Sequence, residues 1–181
     1  SEIVDNKIMS VVEPKLIIKE TQLANIDGVL NAVKIESEHL QPLILKGEGA
    51  GGQATSSSII SDLYEISLNI KSPSLGYETN QLIDYEKLDI SNKLESYYLR
   101  ILVKDISGVL AKITSNLNEE GISIETILQI PDKNISQQQI PIIIVTHRTT
   151  KNLLKKALTK IEKLDFVLDN IAVITIDKSI D

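Results

Sequence analysis

The stretch Tyr97-Tyr98-Leu99-Arg100-Ile101-Leu102-Val103-Lys104-Asp105-Ile106-Ser107-Gly108-Val109-Leu110-Ala111-Lys112-Ile113 decides how this chain is read. Residues 97–104 put Tyr97, Leu99, Ile101 and Val103 on one face, the two-residue period of a strand. Val109, Ile113 and Leu117 then recur at spacings of four, with Leu110 beside them, and predict a helix from about 108 to 120. Gly121 stops that helix, because glycine takes a left-handed conformation at least cost. Ile122, Ile124, Leu128 and Ile130 alternate with Ser123, Glu125 and Gln129 as a half-buried strand. Residues 131–139 form a polar turn and Ile140 to Thr146 a β-branched strand. Thr149 or Thr150 caps a second helix, and a strand from Phe166 to Ile176, interrupted near Asp169-Asn170, closes the unit. The order is β-α-β-β-α-β, the ferredoxin-like split βαβ arrangement, with two helices on one face of an antiparallel sheet. Right-handed crossovers put the first and third of these strands in the middle.

The turn from Lys104 to Gly108 carries the chemistry. A glycine opening a helix exposes backbone N–H groups at the positive end of the helix dipole, and these hold a carboxylate. Asp105 beside them takes an ammonium group, so the turn offers both halves of an amino-acid site. A plainer role is open to the same residues: Asp105 and Ser107 capping the helix, and Gly108 turning the chain.

Composition narrows the rest. The 181 residues carry a net charge of −6, with 42% hydrophobic and 24% charged side chains, as globular chains do. The absence of cysteine excludes a disulfide framework, thiol catalysis and thiolate zinc sites, and fits a reducing compartment. No apolar run reaches the roughly 18 residues that span a bilayer. Residues 1–20 carry acids among their apolar positions and do not read as a signal peptide, so a cytoplasmic protein with no membrane contact is expected. Residues 1–96 hold 8 basic and 15 acidic side chains, whereas residues 97–181 hold 11 and 10. The one basic concentration, from His147 and Arg148 to Lys163, is interleaved with Leu153, Leu154, Ala157, Leu158, Ile161 and Leu164 as the wet face of an amphipathic helix. With aromatics at 3% there are no stacking partners for nucleic acid, which is set aside. A boundary falls in residues 71–96, where Pro73, Gly76 and several serines break the periodicity.

The first half holds Leu43-Ile44-Leu45, then Lys46-Gly47-Glu48-Gly49-Ala50-Gly51-Gly52, then a helix with Ile59, Ile60, Leu63 and Ile66 on one side. Gly47, Gly49 and Gly52 satisfy G-x-G-x-x-G between a strand and a helix. No second parallel strand follows, and no acid stands at a strand end about 20 residues on to hold a ribose, so a complete dinucleotide unit is not expected. A glycine turn whose backbone closely approaches some ligand is expected instead. His39 and His147 stand far apart without a supporting carboxylate, Lys7, Lys15 and Lys19 read as surface lysines, and no metal site is expected.

Asp105-x-x-Gly108-Val109-Leu110-Ala111-Lys112-Ile113, followed by Gly121-Ile122-Ser123-Ile124-Glu125 and Gln129, resembles an ACT domain, the amino-acid-sensing module of many biosynthetic enzymes. Ser107 stands where that family often has proline. Tyr97-Tyr98-Leu99-Arg100 and the strand ending Ile144-Val145-Thr146-His147 resemble more narrowly the ACT domain of bacterial homoserine dehydrogenase. Thr21 to Val33 and Gly47-x-Gly49-Ala50-Gly51-Gly52-x-x-Thr55-x-Ser57-x-Ile59-Ile60-Ser61-Asp62-Leu63 are similar to the downstream part of that family's catalytic region, with Ala54 at a frequent proline position.

The resemblance implies an α+β chain in which a ferredoxin-like ACT domain at 97–181 follows a linker at 71–96 and a partial α/β catalytic segment, sheet strands plus a long helix, at 1–70. It implies that residues 27–46 belong to a substrate and dimerisation sheet, that 54–70 form a helix packing on the nucleotide domain, and that no catalytic residue lies in this segment. Gly47, Gly49, Ala50, Gly51, Gly52 and Thr55 would lie near an NAD(P) cofactor in an intact enzyme. That enzyme would interconvert L-homoserine and L-aspartate 4-semialdehyde, and the segment by itself would be inactive with no cofactor bound. Its first sheet would gain its missing edges by pairing with a second copy. The effector, threonine by preference, would meet Asp105, Gly108, Val109 and Leu110, with Ser123 and Glu125 on the adjoining strand. ACT domains of this kind pair side by side, which implies a homodimer or higher oligomer. Two other readings stay open here: a free-standing amino-acid-binding regulatory protein, and the effector domain of another biosynthetic enzyme such as a phosphoglycerate dehydrogenase or an aspartate kinase.

Overall fold

A computed structural model describes residues 1–68, 73, 76–129 and 139–178. Its elements run β1 (Glu2–Val4), β2 (Lys7–Met9), β3 (Lys15–Ile17), β4 (Leu30–Ser37), β5 (Leu40–Glu48), α1 (Gly52–Ser67), β6 (Glu86–Lys87) and β7 (Leu94–Lys104). They continue with α2 (Val109–Glu119), β8 (Ile124–Gln129), β9 (Gln139–Thr146), β10 (Thr149–Thr150), α3 (Lys151–Ile161) and β11 (Ala172–Asp177). The expected polar turn over 131–139 lies outside the described residues apart from Gln139, as do Ile130, the last two positions of the helix expected to reach residue 70, and much of 71–75.

The expected order of the second half is what folds. The main sheet runs β3-β11-β7-β9-β8, so β7 and β9, its first and third strands, sit in the middle. β7 pairs antiparallel with β11 from Ser96 to Arg100 and with β9 from Tyr98 to Lys104. The residues that alternate inward on β7, namely Tyr97, Leu99, Ile101 and Val103, are buried with Ile142 and Ile144 of β9, Val109, Ile113 and Leu117 of α2, and Leu154, Ala157 and Ile161 of α3. Burying such a side chain is worth about 1.5–3 kcal/mol, which makes this core the main stabilising element of the unit.

The end of α2 and the start of α3 fall where the sequence places them. Gly121, at φ +70°, closes α2: its N–H donates to the Asn118 carbonyl at 2.9 Å, and the Ile122 N–H reaches the Leu117 carbonyl at 3.0 Å. This is the Schellman arrangement, with the buried Ile122 folding back on the helix. Thr150 opens α3 by accepting from the Leu153 N–H at 3.3 Å.

Several boundaries differ from the sequence reading. The compact units are 1–18 with 85–181, and 19–84, instead of 1–70, 71–96 and 97–181. The cause is strand pairing: β3 lies parallel to β11 with Leu16 opposite Ile176, and β2 lies parallel to β6. A sheet edge exposes unpaired N–H and C=O groups, and β3 covers the one that β11 would present. β1 and β2 form a hairpin whose two-residue turn, Asp5-Asn6, has φ of 49° and 59° as a type I′ turn requires. β7 starts at Leu94, inside the expected linker, because Leu94 and Glu95 pair with β10. The closing strand is shorter than expected: Val167 only bridges to Val103, and continuous pairing begins at Ala172.

The other unit, 19–84, is a β4-β5 hairpin followed by α1. Val33 faces Leu45 and Ile35 faces Leu43 across the ladder, and all four are exposed. Along α1, Ile59, Ile60, Leu63 and Ile66 are exposed as well.

Candidate functional site

Gly108 holds φ +88° and ψ −10° at the start of α2, a left-handed position that a side chain would strain. Its carbonyl accepts the first helical bond, from the Lys112 N–H at 3.1 Å. The Val109, Leu110 and Ala111 N–H groups, which precede that bond, have no intrahelical acceptor. No side chain caps the helix, so the plainer role of Asp105 or Ser107 as a cap is not the one adopted. The Ile106 N–H turns back to the Lys104 carbonyl at 3.0 Å and leaves Asp105 exposed beside the helix end.

A hollow of about 300 Å³ opens there, walled by Asp105, Gly108, Val109 and Leu110 together with Gln129 of β8 and Ile140 of β9. Four expected effector residues are thus brought together, and Gln129 joins them as the polar side chain of the opposite wall. Ser123 and Glu125 stand at the other end of β8, about 20 Å and 13 Å from Gln129 at ~3.3 Å per residue. Ser123 lines a different hollow with Thr114 and Asn118 of α2. Glu125 accepts from Lys178 at 2.5 Å, and that ammonium holds its carboxyl below the usual range.

The glycine turn of the first half is tight. The Gly49 N–H donates to the Val29 carbonyl at 2.9 Å, and a Cβ at Gly49 would lie 1.7 Å from Asn31 Nδ2. Gly51, at φ +116°, precedes α1, and the Thr55 hydroxyl donates to its carbonyl at 2.9 Å. Cβ atoms built on Gly47, Gly51 or Gly52 meet nothing within 4 Å, so an open backbone edge faces outward there. These residues do not by themselves fit a dinucleotide. β5 pairs antiparallel with β4, and among the described residues no parallel neighbour brings an acid to the ribose position.

Lys15 is more than a surface lysine. Its ammonium lies 3.4 Å from Glu95, 3.6 Å from Glu13 and 3.8 Å from Asp177, tying β3 to β7 and β11. Burial alone would lower its pKa, but Glu95, Asp177 and Glu13 outweigh that and raise it above the ordinary lysine value. Nothing in the local sequence marked this cluster, because its members come from three separated strands. His39 and His147 are exposed, and among the described residues no three acids or histidines stand close enough to hold a metal ion. No helix of the described residues is long and apolar enough to cross a membrane.

A split βαβ sheet with an uncapped, glycine-opened helix beside an aspartate makes the chain's larger unit a ferredoxin-like α+β domain, and a hairpin and helix of different make belong to the other unit. The chain matches the family model of the ACT domain over residues 97–166 and that of homoserine dehydrogenase over residues 3–64. It belongs to the homoserine dehydrogenase family, matching the C-terminal part of those proteins. It is 35% identical over 164 residues to the homoserine dehydrogenase of Pseudomonas aeruginosa, covering 86% of this chain and 37% of that protein. Against the homoserine dehydrogenase of Bacillus subtilis it is 34% identical over 167 residues, 90% of this chain and 37% of that one. The crystal structure of a homoserine dehydrogenase from Thiobacillus denitrificans superposes with a TM-score of 0.76 at 32% identity, over 97% of this chain and 40% of that chain. The chain therefore spans little more than a third of the length of the curated relatives it matches.

Proposed function

We propose that the chain is the regulatory end of an NAD(P)-dependent homoserine dehydrogenase, and that its ACT domain binds an amino acid, threonine by preference, as a feedback inhibitor of L-aspartate 4-semialdehyde reduction. The observation that carries this reading is the hollow where Asp105 stands beside the free N–H groups of Val109 and Leu110. A zwitterion seated there satisfies N–H groups with its carboxylate and Asp105 with its ammonium. Gln129 then faces the ligand's side chain, the place where a hydroxyl is told from a methyl.

The exposed glycine edge from Gly47 to Gly52, with Ala50 and Thr55, would stand near the cofactor in the intact enzyme, as one wall of a site completed by residues outside this chain. The cofactor supplies the hydride. What this segment supplies is a close backbone approach, because glycine puts no Cβ in the way. By itself the segment is inactive, and it works in the cytoplasm as a homodimer or higher oligomer. Coupling between effector and reaction is of the usual ~1–3 kcal/mol, through two conformations whose balance the effector shifts. Ser123 and Glu125, distant from Gln129 along the same strand, reach an effector at the turn only from a second copy.

Calorimetry of the chain against threonine, serine, methionine, lysine and isoleucine tests the reading. Threonine is expected to bind at millimolar concentration or below, equivalent to about 4 kcal/mol or more, and Asp105→Ala to abolish the heat. Absence of heat with all five rejects the sensor assignment, and unchanged affinity in Asp105→Ala removes Asp105 from the site.

A further inference from the structure

Asp27-Gly28, just before β4, is the one place in the sequence where Asp or Asn precedes glycine. Both residues are exposed, and Gly28 has φ +65°. The Leu30 N–H donates to the Asp27 carbonyl at 3.3 Å, and Val29, the other central residue, has no positive φ, as in a type II′ turn. Among the described residues the Gly28 N–H has no acceptor and the Asp27 carboxylate no donor. A Cβ built on Gly28 meets nothing within 4 Å, so the space beside its amide nitrogen is open. Asp89 shows the contrast: its carboxylate accepts from the Ser91 N–H at 2.9 Å and the Ser91 hydroxyl at 2.7 Å, and Ile90 follows it.

We propose that Asp27-Gly28 is a self-modification site, at which the main chain passes onto the Asp27 side chain. The Gly28 amide nitrogen attacks Cγ of the protonated Asp27 carboxyl and forms an N–Cγ bond. The carboxyl hydroxyl leaves with the amide proton as water, closing a five-membered succinimide. Water then adds to one of the two ring carbonyls. Cleavage of the N–Cγ bond restores aspartate, whereas cleavage of the original peptide bond leaves Gly28 joined through Cγ as isoaspartate, with a free α-carboxylate. Nothing is oxidised or reduced. Glycine permits the attack because a Cβ on the following residue would crowd the nitrogen. The turn leads into a two-stranded hairpin that is marginal alone, so its main chain reaches the attack geometry without opening the ACT-type core. Isoaspartate adds one methylene to the main chain between residues 27 and 28, which breaks the turn's bond to Leu30 and displaces the Val29 carbonyl. That carbonyl receives the Gly49 N–H at 2.9 Å, so the change reaches the glycine turn. The chemistry does not rest on that turn meeting a cofactor.

Timed incubation of the 181-residue chain at neutral pH, followed by peptide mapping, tests this. The peptide holding Asp27 is expected to split into two forms of equal mass, with a transient species lighter by one water. Electron-transfer fragmentation identifies the isoaspartate by cleavage between its Cα and Cβ. Accumulation should be about tenfold faster than at Asp5, Asp89 or Asp105, each followed by a residue with a Cβ, through a barrier about 1.4 kcal/mol lower. Asp27→Glu, which can close only a six-membered ring, should abolish the second form and leave the melting temperature unchanged. Asp27→Asn should give the same product, with ammonia leaving in place of water. In the aged chain the Leu30 and Gly49 amide shifts should move while those of β7 and β9 stay. Rearrangement in the urea-unfolded chain but not in the folded one overturns the proposal, because the turn would then hold the reacting atoms apart. Equal rates at all four aspartates overturn it too, since Gly28 would then confer nothing, and an unmoved Gly49 shift rejects the reach to the glycine turn.

Discussion

Tyr97 and Gly121 show what single residues contribute and how far each was legible. Tyr97 is 2% exposed, yet its hydroxyl has no hydrogen-bond partner among the described residues. Alternation along 97–104 put the ring in the core but could not say whether its oxygen would find a partner there. Tyr97→Phe is expected to be neutral or stabilising by up to about 1 kcal/mol, since the lost oxygen was already desolvated and unpaired. Burial, followed by the Glu95 and Glu13 carboxylates, pushes the phenol up to about 12. Between pH 10 and 12 the unfolded chain gives up this proton while the folded chain keeps it, so stability falls as pH rises through that window, by up to roughly 3 kcal/mol. Urea unfolding across that window should show a shallower fall for the Phe variant, and parallel curves would mean the phenol ionises freely. Gly121 is the legible case, because a helix pattern that stops at glycine has one common geometry. Gly121→Ala should cost about 1 kcal/mol through its positive φ and leave ligand affinity unchanged. Gly108→Ala strains a similar position, at a cost of ~1–2 kcal/mol, but should also weaken threonine if, as proposed, the N–H groups that it displaces receive the carboxylate.

Among the elements, the β-α-β-β-α-β order was readable because each piece carries its own period and its own stop. β3 was not. Lys15-Leu16-Ile17 is too short to show alternation, and its place against β11 depends on a partner strand more than 150 residues later. The Lys15 cluster was hidden for the same reason, as was the separation of Asp105 from Glu125: sequence gives the strand that holds both Glu125 and Gln129, but which end meets the turn is decided by pairing. The carboxylates around Lys15 are mostly buried, so taking away their shared cation should cost more than breaking a surface pair. Lys15→Met is expected to destabilise by about 1–2 kcal/mol, with the loss shrinking in high salt as the remaining like charges are screened. A variant as stable as the parent in low salt would show that main-chain pairing alone holds β3. Loss of the β3 pairing would also open the β11 edge, so the same variant should aggregate more readily on heating.

For the whole molecule, two units of different self-sufficiency share one chain. The ACT-type unit closes its own core, whereas the unit of residues 19–84 buries none of its large apolar side chains among the described residues. A two-stranded hairpin with an exposed ladder of Val33, Ile35, Leu43 and Leu45 is marginal in water, and needs another layer to persist. Hydrogen exchange should therefore divide the chain. Amides of β7 and β9 are expected to exchange only by global opening, and those of β4, β5 and α1 within seconds at low concentration. If a second copy supplies the missing layer, protection of Leu30 to Glu48 should rise with concentration by mass action while β7 and β9 stay constant. Strong protection of the hairpin at dilutions where light scattering shows a monomer would contradict this, because Val33, Ile35, Leu43 and Leu45 are exposed among the described residues. The sequence announced the hairpin's apolar residues and the glycine turn but not their exposure, since a strand pattern looks the same whether or not its cover is present.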